Sequence, residues 1–219
     1  MNAKQRAFWG PYISKIGAKN FFSNGMIIQS KHYCGMDISQ AEGAEQFATH
    51  QRDMIIRRHD EYKALISKEI LSLDDLETVF MLVEKQFYDE EFVQLINNDK
   101  LGVSDEEYWD IVQQIWVRQE FNSGGNRKRN WKRIFKHRPK LASLSAELPD
   151  EFRAYRAGKE DGFSWTLDRS KAEWFHNRFK MQFGNIPFLE KTFKRDDVIF
   201  YTNIRNEKEV VILPQTRRN

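Results

Sequence analysis

Apolar residues recur at helical spacing through the earlier part of the chain and give way to alternation near its end. From about Ser39 to Asn122 the pattern is helical. Ser72 precedes a stretch in which Leu76, Val79, Phe80, Val83 and Phe87 fall on one helix face. Ser104-Asp-Glu-Glu107 has the spacing of a capping box. A hydroxyl there can accept from the backbone N–H three residues on, while the carboxylate reaches back. Tyr108, Ile111, Val112, Ile115 and Trp116 follow at helical spacing, which predicts an aromatic-rich helix packed into a core. Residues 1–38 are mixed and aromatic, with glycines at 10, 17, 25 and 35, and read as short helices and turns.

The texture then changes. Asn122-Ser-Gly-Gly-Asn126 reads as a loop. Arg127 to Lys140 holds eight lysines and arginines, at 127, 128, 129, 132, 133, 136, 138 and 140, with Trp131, Phe135 and His137 among them. A short helical stretch closes at Pro149. Beyond it Phe152–Arg156 and Phe163–Leu167 read as strands around a turn at Gly158–Gly162. Ser170–Phe179 reads as a helix with Ala172, Phe175 and Phe179 on one side. Phe188–Phe193, Val198–Thr202 and Glu209–Leu213 read as three more strands. A helical part followed by a strand-rich part predicts an α+β protein, divided into a helical region over 1–145 and a strand-rich module over 146–219.

Composition narrows the class. The chain has 219 residues, 40% hydrophobic, 31% charged and 14% aromatic, which suits a folded globular protein and excludes a disordered one. Its single cysteine, Cys34, excludes an internal disulfide and a cysteine-based zinc site. The histidines at 32, 50, 59, 137 and 176 show no metal-ligand spacing, so no metal is expected. Met1 to Gly10 has no apolar run, and no stretch reaches the ~20 apolar residues of a membrane span. These features together predict a cytoplasmic protein without a membrane partner. The net charge of +3 is too small to indicate a partner, whereas its concentration in Arg127–Lys140 is informative.

Three short segments in the strand-rich part carry candidate chemistry. Tyr155-Arg156-Ala157-Gly158 ends a strand before a glycine turn, Ser164-Trp165-Thr166 alternates hydroxyls with an aromatic, and Glu207-Lys208-Glu209 leads into Val210-Val211-Ile212-Leu213. Their order resembles the arginine–serine–glutamate class of ADP-ribosyltransferases, the class of cholera-type and arginine-specific toxins. The stretch Gly162 to Phe179 looks particularly like transferases of phages and bacterial toxin–antitoxin loci. The resemblance covers about residues 150–213 and implies a small two-sheet catalytic module using NAD⁺ as co-substrate. It departs from the family in its shortness.

What the resemblance implies can be stated by residue. Arg156 would hold the pyrophosphate, since a guanidinium fork pairs with phosphate oxygens and stays charged. The backbone of Ala157 and Gly158 would bond the nicotinamide amide. Ser164 would orient the ribose and the catalytic glutamate, with Thr166 on the same side of its strand. Glu209 would stabilise the oxocarbenium-like sugar. Glu207, projecting to the same side, would act as base on the acceptor. Arg178 would add a phosphate contact, and Phe179 or Phe183 would stack on nicotinamide. Trp165 and Trp174 read as packing residues.

The acceptor stays open between RNA and protein. Glu-x-Glu in this class accompanies transfer to a guanidinium. Arg127, Lys128, Arg129, Lys132 and Arg133, with Trp131 and Phe135 interleaved, suit phosphate contacts and base stacking instead; a solvated helix face is the plain alternative. The toxin-like resemblance also implies a neutralising antitoxin as a partner. Two further readings compete: an NAD⁺ glycohydrolase, and a helical nucleic-acid-binding protein without catalysis.

Overall fold

The computed structural model describes residues 2–17, 20–24, 26–39, 41–119 and 125–214. The fold is α+β, with helices and, among the described residues, two antiparallel sheets. The chain divides into two compact units, Met1–Val103 and Ser104–Asn219. No helix among the described residues is long and apolar enough to cross a membrane.

The first unit carries α1 (Ala3–Ile16), α2 (Glu45–Ile66), α3 (Leu73–Leu82) and α4 (Tyr88–Asn97). Asn2 caps α1 reciprocally with Gln5, each side chain meeting the other's backbone N–H at 2.9 Å. Ser72 and Asp75 form the same box at the start of α3. The helix read from Ser72 stops at Leu82: Val83 turns to extended backbone, and Phe87 belongs to a separate 3-10 turn. Residues 21–36, read as short helices and turns, instead contain a meander. Its strands are β1 (Phe21–Ser23), β2 (Ile27–Ser30) and β3 (Tyr33–Met36), paired antiparallel in that order. Ile28 from this sheet packs with Trp9, Tyr12 and Ile55 in a small core.

The second unit holds α5 (Asp105–Arg118), α6 (Gly125–His137), β4 (Glu151–Ala157), β5 (Ser164–Thr166), α7 (Arg169–Phe183), β6 (Phe188–Lys194), β7 (Val198–Thr202) and β8 (Glu209–Ile212). Ser104 caps α5 with Glu107 as its spacing predicts, the two bonds measuring 3.2 and 2.8 Å. The loop expected at Asn122–Asn126 lies mostly outside the described residues, and Gly125 and Asn126 already belong to α6.

This unit begins at Ser104 rather than at 146, because α5 and α6 supply part of the sheet's core. Trp116 and Phe135 both meet Phe163 and Phe200 edge-on or tilted, at centroid distances of 5.8–6.2 Å. The five strands form one sheet in the order β6-β4-β5-β8-β7, rather than the two expected of the module. Its seam is narrow: β4 pairs with β6 over seven residues but with β5 only at Tyr155↔Thr166.

Alternation along β8 sorts its residues. Val210 and Ile212 join Phe152, Ala154, Trp165 and Phe193 in one core. Glu209 and Val211 therefore face the other side. Register puts Ser164 opposite Val211 and Thr166 opposite Glu209, so all four share that face.

Candidate active site

That face opens into a cavity of about 460 Å³, within the range of small-molecule sites. Its walls include Arg156, Ala157, Ser164, Thr166, Arg178, Phe179, Glu207 and Glu209, so eight residues singled out from separate segments meet in one place. Trp116, Gln119, Lys171, Trp174 and Arg205 line it as well.

Glu209 is buried, with 6% of its surface exposed. The Trp116 indole donates from Nε1 to its Oε1 at 3.1 Å, and the Ser164 side chain bonds the same carboxylate. Burial pushes its pKa above the ordinary carboxylate value, and Glu207 adds to this. The Ser164 and Trp116 bonds and the charge of Arg205 act against the rise. No ion pair to Glu209 forms among the described residues.

Arg156 reaches the cavity by an indirect route. Strand alternation with Phe152 and Ala154 would send it to the opposite face. The β4–β5 ladder ends at Tyr155, however, and the guanidinium turns into the gap. There Nε donates to Lys159 O at 2.8 Å and Nη1 donates to Ser164 O. Gly162 makes this possible, since a Cβ there would lie 1.8 Å from Arg156 Nη2. Burial lowers the guanidinium's pKa, and Asp161 and Glu209 hold it up. Two of its five donors are thus engaged by backbone.

Glu207 stands in the turn between β7 and β8, with Arg205 Nε 4.0 Å from its Oε2. Asn203 holds this turn by accepting from Lys208 N at 3.1 Å through Oδ1 and from Asn206 N at 2.9 Å through its carbonyl. Lys208 takes a left-handed φ of 44°, uncommon for a lysine. Strand alternation therefore stops short of Glu207, and the turn itself aims it into the cavity.

Other assignments change. Gly158 does not line the cavity, and its N–H donates to Pro187 O at 2.9 Å, so it is not a free donor for an amide. Its φ of 112° explains why glycine stands there. The Thr166 hydroxyl donates to Glu207 O and accepts from Asp168 N at 3.0 Å, which makes it a support for the Glu207 turn. Arg178 and Phe179 line the cavity, Arg178 lying 5.4 Å from the Trp174 ring and Phe179 stacking on Phe175; Phe183 does not line it. Trp174, expected in packing, is 53% exposed at the cavity.

In the basic segment, Trp131 is fully buried and Phe135 is 4% exposed. Neither can stack on a nucleobase, because both belong to the core with Trp116. Lys128 pairs with Asp161, Arg127 and Lys132 are half-buried, and Arg129 and Arg133 are exposed.

Trp116, Gln119 and Gly162 were missed from sequence. Trp116 lies 93 residues from the carboxylate it holds, and its helical spacing is that of any core residue. Gln119 accepts from Trp131 Nε1 at 3.1 Å, a bond with no local sequence mark. Among known proteins, the chain matches no family model, no curated protein and no solved structure.

Proposed function

We propose that this chain cleaves the nicotinamide–ribose bond of NAD⁺ and transfers ADP-ribose to a macromolecular acceptor. The observation that carries this reading is the buried Glu209 carboxylate, held by neutral donors from Ser164 and Trp116 at the wall of a cavity that also contains Arg156 and Glu207. Cleavage develops positive charge on the sugar, and a fixed carboxylate in a poorly hydrated site stabilises that charge without reorganising. Arg156, Lys171, Arg178 and Arg205 line the same space and suit a pyrophosphate. NAD⁺ fits this residue set as an anion with a cleavable cationic leaving group. Ser164 and Trp116 then orient Glu209, Arg156 anchors phosphate oxygens, and Glu207 accepts a proton from the incoming nucleophile.

The acceptor reading rests on two different features. Glu207 beside Glu209 supports a protein guanidinium, which must lose a proton as it attacks. The exposed Arg129 and Arg133 on α6 support a nucleic acid held by its phosphates, although burial of Trp131 and Phe135 removes stacking from that argument.

Incubation of the chain and a cell lysate with NAD⁺ labelled in the adenylate phosphate tests the reading. Label on a macromolecule supports transfer, and its sensitivity to RNase or protease identifies the acceptor class. Free ADP-ribose alone indicates hydrolysis, and complete absence of turnover removes the enzymatic reading.

A further inference from the structure

The Trp116 indole is a donor with no accepting atom. It is 1% exposed, lies within reach of Glu209 Oε1, and is wedged against Trp131 at 4.8 Å and 82° and against Phe200 at 6.0 Å and 85°. Trp131 is itself fixed by its bond to Gln119. The indole therefore has little freedom to swing away. A donor aimed at Oε1 excludes a proton from that oxygen, because an O–H there would face an N–H. Oε2 is then the oxygen that can take a proton or meet a substrate, with the Ser164 hydroxyl as the carboxylate's other donor.

We propose that Trp116 is a positioning residue of this site, its indole N–H fixing Glu209 Oε1 so that Oε2 is the oxygen presented to the reacting sugar. The proposal rests on the reading of Glu209 as the catalytic carboxylate. It brings α5, which lies outside the stretch that resembles transferases, into the active site. Structural packing alone would require the ring; positioning requires its N–H. The ionisable groups that act on Glu209 are Glu207 and Arg205 from the β7–β8 turn and Arg156 from β4, and none of them is altered by changing Trp116.

Trp116→Phe keeps an aromatic ring and removes the donor. In the full chain, the turnover number for NAD⁺ cleavage should fall about ten- to a hundredfold, with KM for NAD⁺ nearly unchanged. The acid limb of the pH profile should move up by about one unit, because the ionised carboxylate loses a donor. A second measurement needs neither turnover nor a change at Trp116. With ¹⁵N-indole-labelled tryptophan, one indole N–H of the wild-type chain should shift as Glu209 titrates, and that titration should vanish in Glu209→Gln. An unmoved acid limb in a folded Trp116→Phe, or no indole resonance that follows Glu209, overturns the proposal. If the indole titrates while the wild type leaves NAD⁺ intact, positioning of the carboxylate stands and the ADP-ribosyl reading falls. If NAD⁺ is cleaved and Trp116→Phe keeps the wild-type profile, the reading stands and the positioning role falls.

Discussion

Glu91 in the first unit and Glu209 in the second are both buried carboxylates, 1% and 6% exposed, held in opposite ways. Glu91 is ion-paired with Lys31 and accepts from the Tyr62 hydroxyl at 2.8 Å. Burial and the neighbouring charge of Glu91 push the Tyr62 phenol well above its ordinary pKa. The network continues through histidines: His32 Nδ1 meets Leu82 O at 2.9 Å, so it carries the proton, and His32 Nε2 accepts from His59 Nδ1 at 3.2 Å. Glu209 has neutral donors and a cavity beside it. A buried charge with its counter-ion alongside is already neutralised and serves the fold. A buried charge bonded by neutral donors, with Arg156 and Arg205 acting on it without an ion pair, keeps more of its field for whatever enters the cavity.

The difference can be broken from either side, and the largest effect is expected in the first unit. Lys31→Met leaves Glu91 charged, buried and without its cation, which should destabilise the fold by about 3–5 kcal/mol. Denaturant unfolding checks this, and an unchanged midpoint would mean that Tyr62 alone satisfies Glu91. Glu209→Gln should do the reverse: the fold is retained or slightly stabilised, because an unpaired buried charge is removed. Turnover of NAD⁺ should drop about 10²–10³-fold, the loss of one electrostatic contact to the developing cation. Near wild-type turnover would transfer the role to another group, with Glu207 first in line.

Much of the second unit's side of this contrast was legible in the sequence, for local reasons, whereas the Glu91 network of the first was not. Val198–Thr202 forms a strand with the bounds its alternation predicts, and Ser104 caps α5 as its spacing with Glu107 requires. Arg156, Ser164 and Glu209 come together because short strands carry them to one face and one gap of the sheet. What escaped was non-local or depended on which face a helix buries. The strands at 21–36 are three or four residues long, too short for alternation to register. Trp131 and Phe135 share a helix with six basic residues, and sequence alone could not tell that the aromatics turn inward. The bond from Trp116 to Glu209 crosses most of the second unit's sequence.

Titration sharpens the comparison, because the two sites respond to acid with opposite sign. Burial lowers the His32 pKa to about 4 and lowers that of His59 as well. Between pH 6.5 and about 4 the unfolded histidine binds a proton that the folded one refuses. Stability from neutral His32 is therefore complete above pH 6.5 and lost as pH falls, by about 3 kcal/mol at pH 4. Glu209 has its folded pKa raised above the ordinary value. Its contribution is complete below that ordinary value and declines as pH rises through the folded one. Hydrogen-exchange protection factors, corrected for intrinsic rates, should thus fall in α2 and α4 on going from pH 7 to 4.5 but hold or rise in β8. A parallel fall in both units would mean that other groups dominate the acid response.

The smallest expected effect on stability comes from α6, where the second unit carries charge at its surface. Arg129 and Arg133 are one helical turn apart and exposed, so Arg129→Gln with Arg133→Gln should change stability by no more than about 0.5 kcal/mol. Cleavage of NAD⁺ without acceptor should be unaffected, because neither residue lines the cavity. Transfer to nucleic acid is the sensitive readout. Two lost phosphate contacts, at about 0.7 each for a single strand, should lower the labelling of single-stranded RNA and reduce the slope of its logarithmic salt dependence by about 1.4. With Trp131 and Phe135 in the core, phosphate contacts are what remains on this helix, so the salt slope should fall in proportion to the charges removed and not with base composition. If the double variant labels RNA as the wild type does, or if label enters protein alone, the α6 charges are a solvated face. Glu207 and a protein guanidinium then become the pair to test.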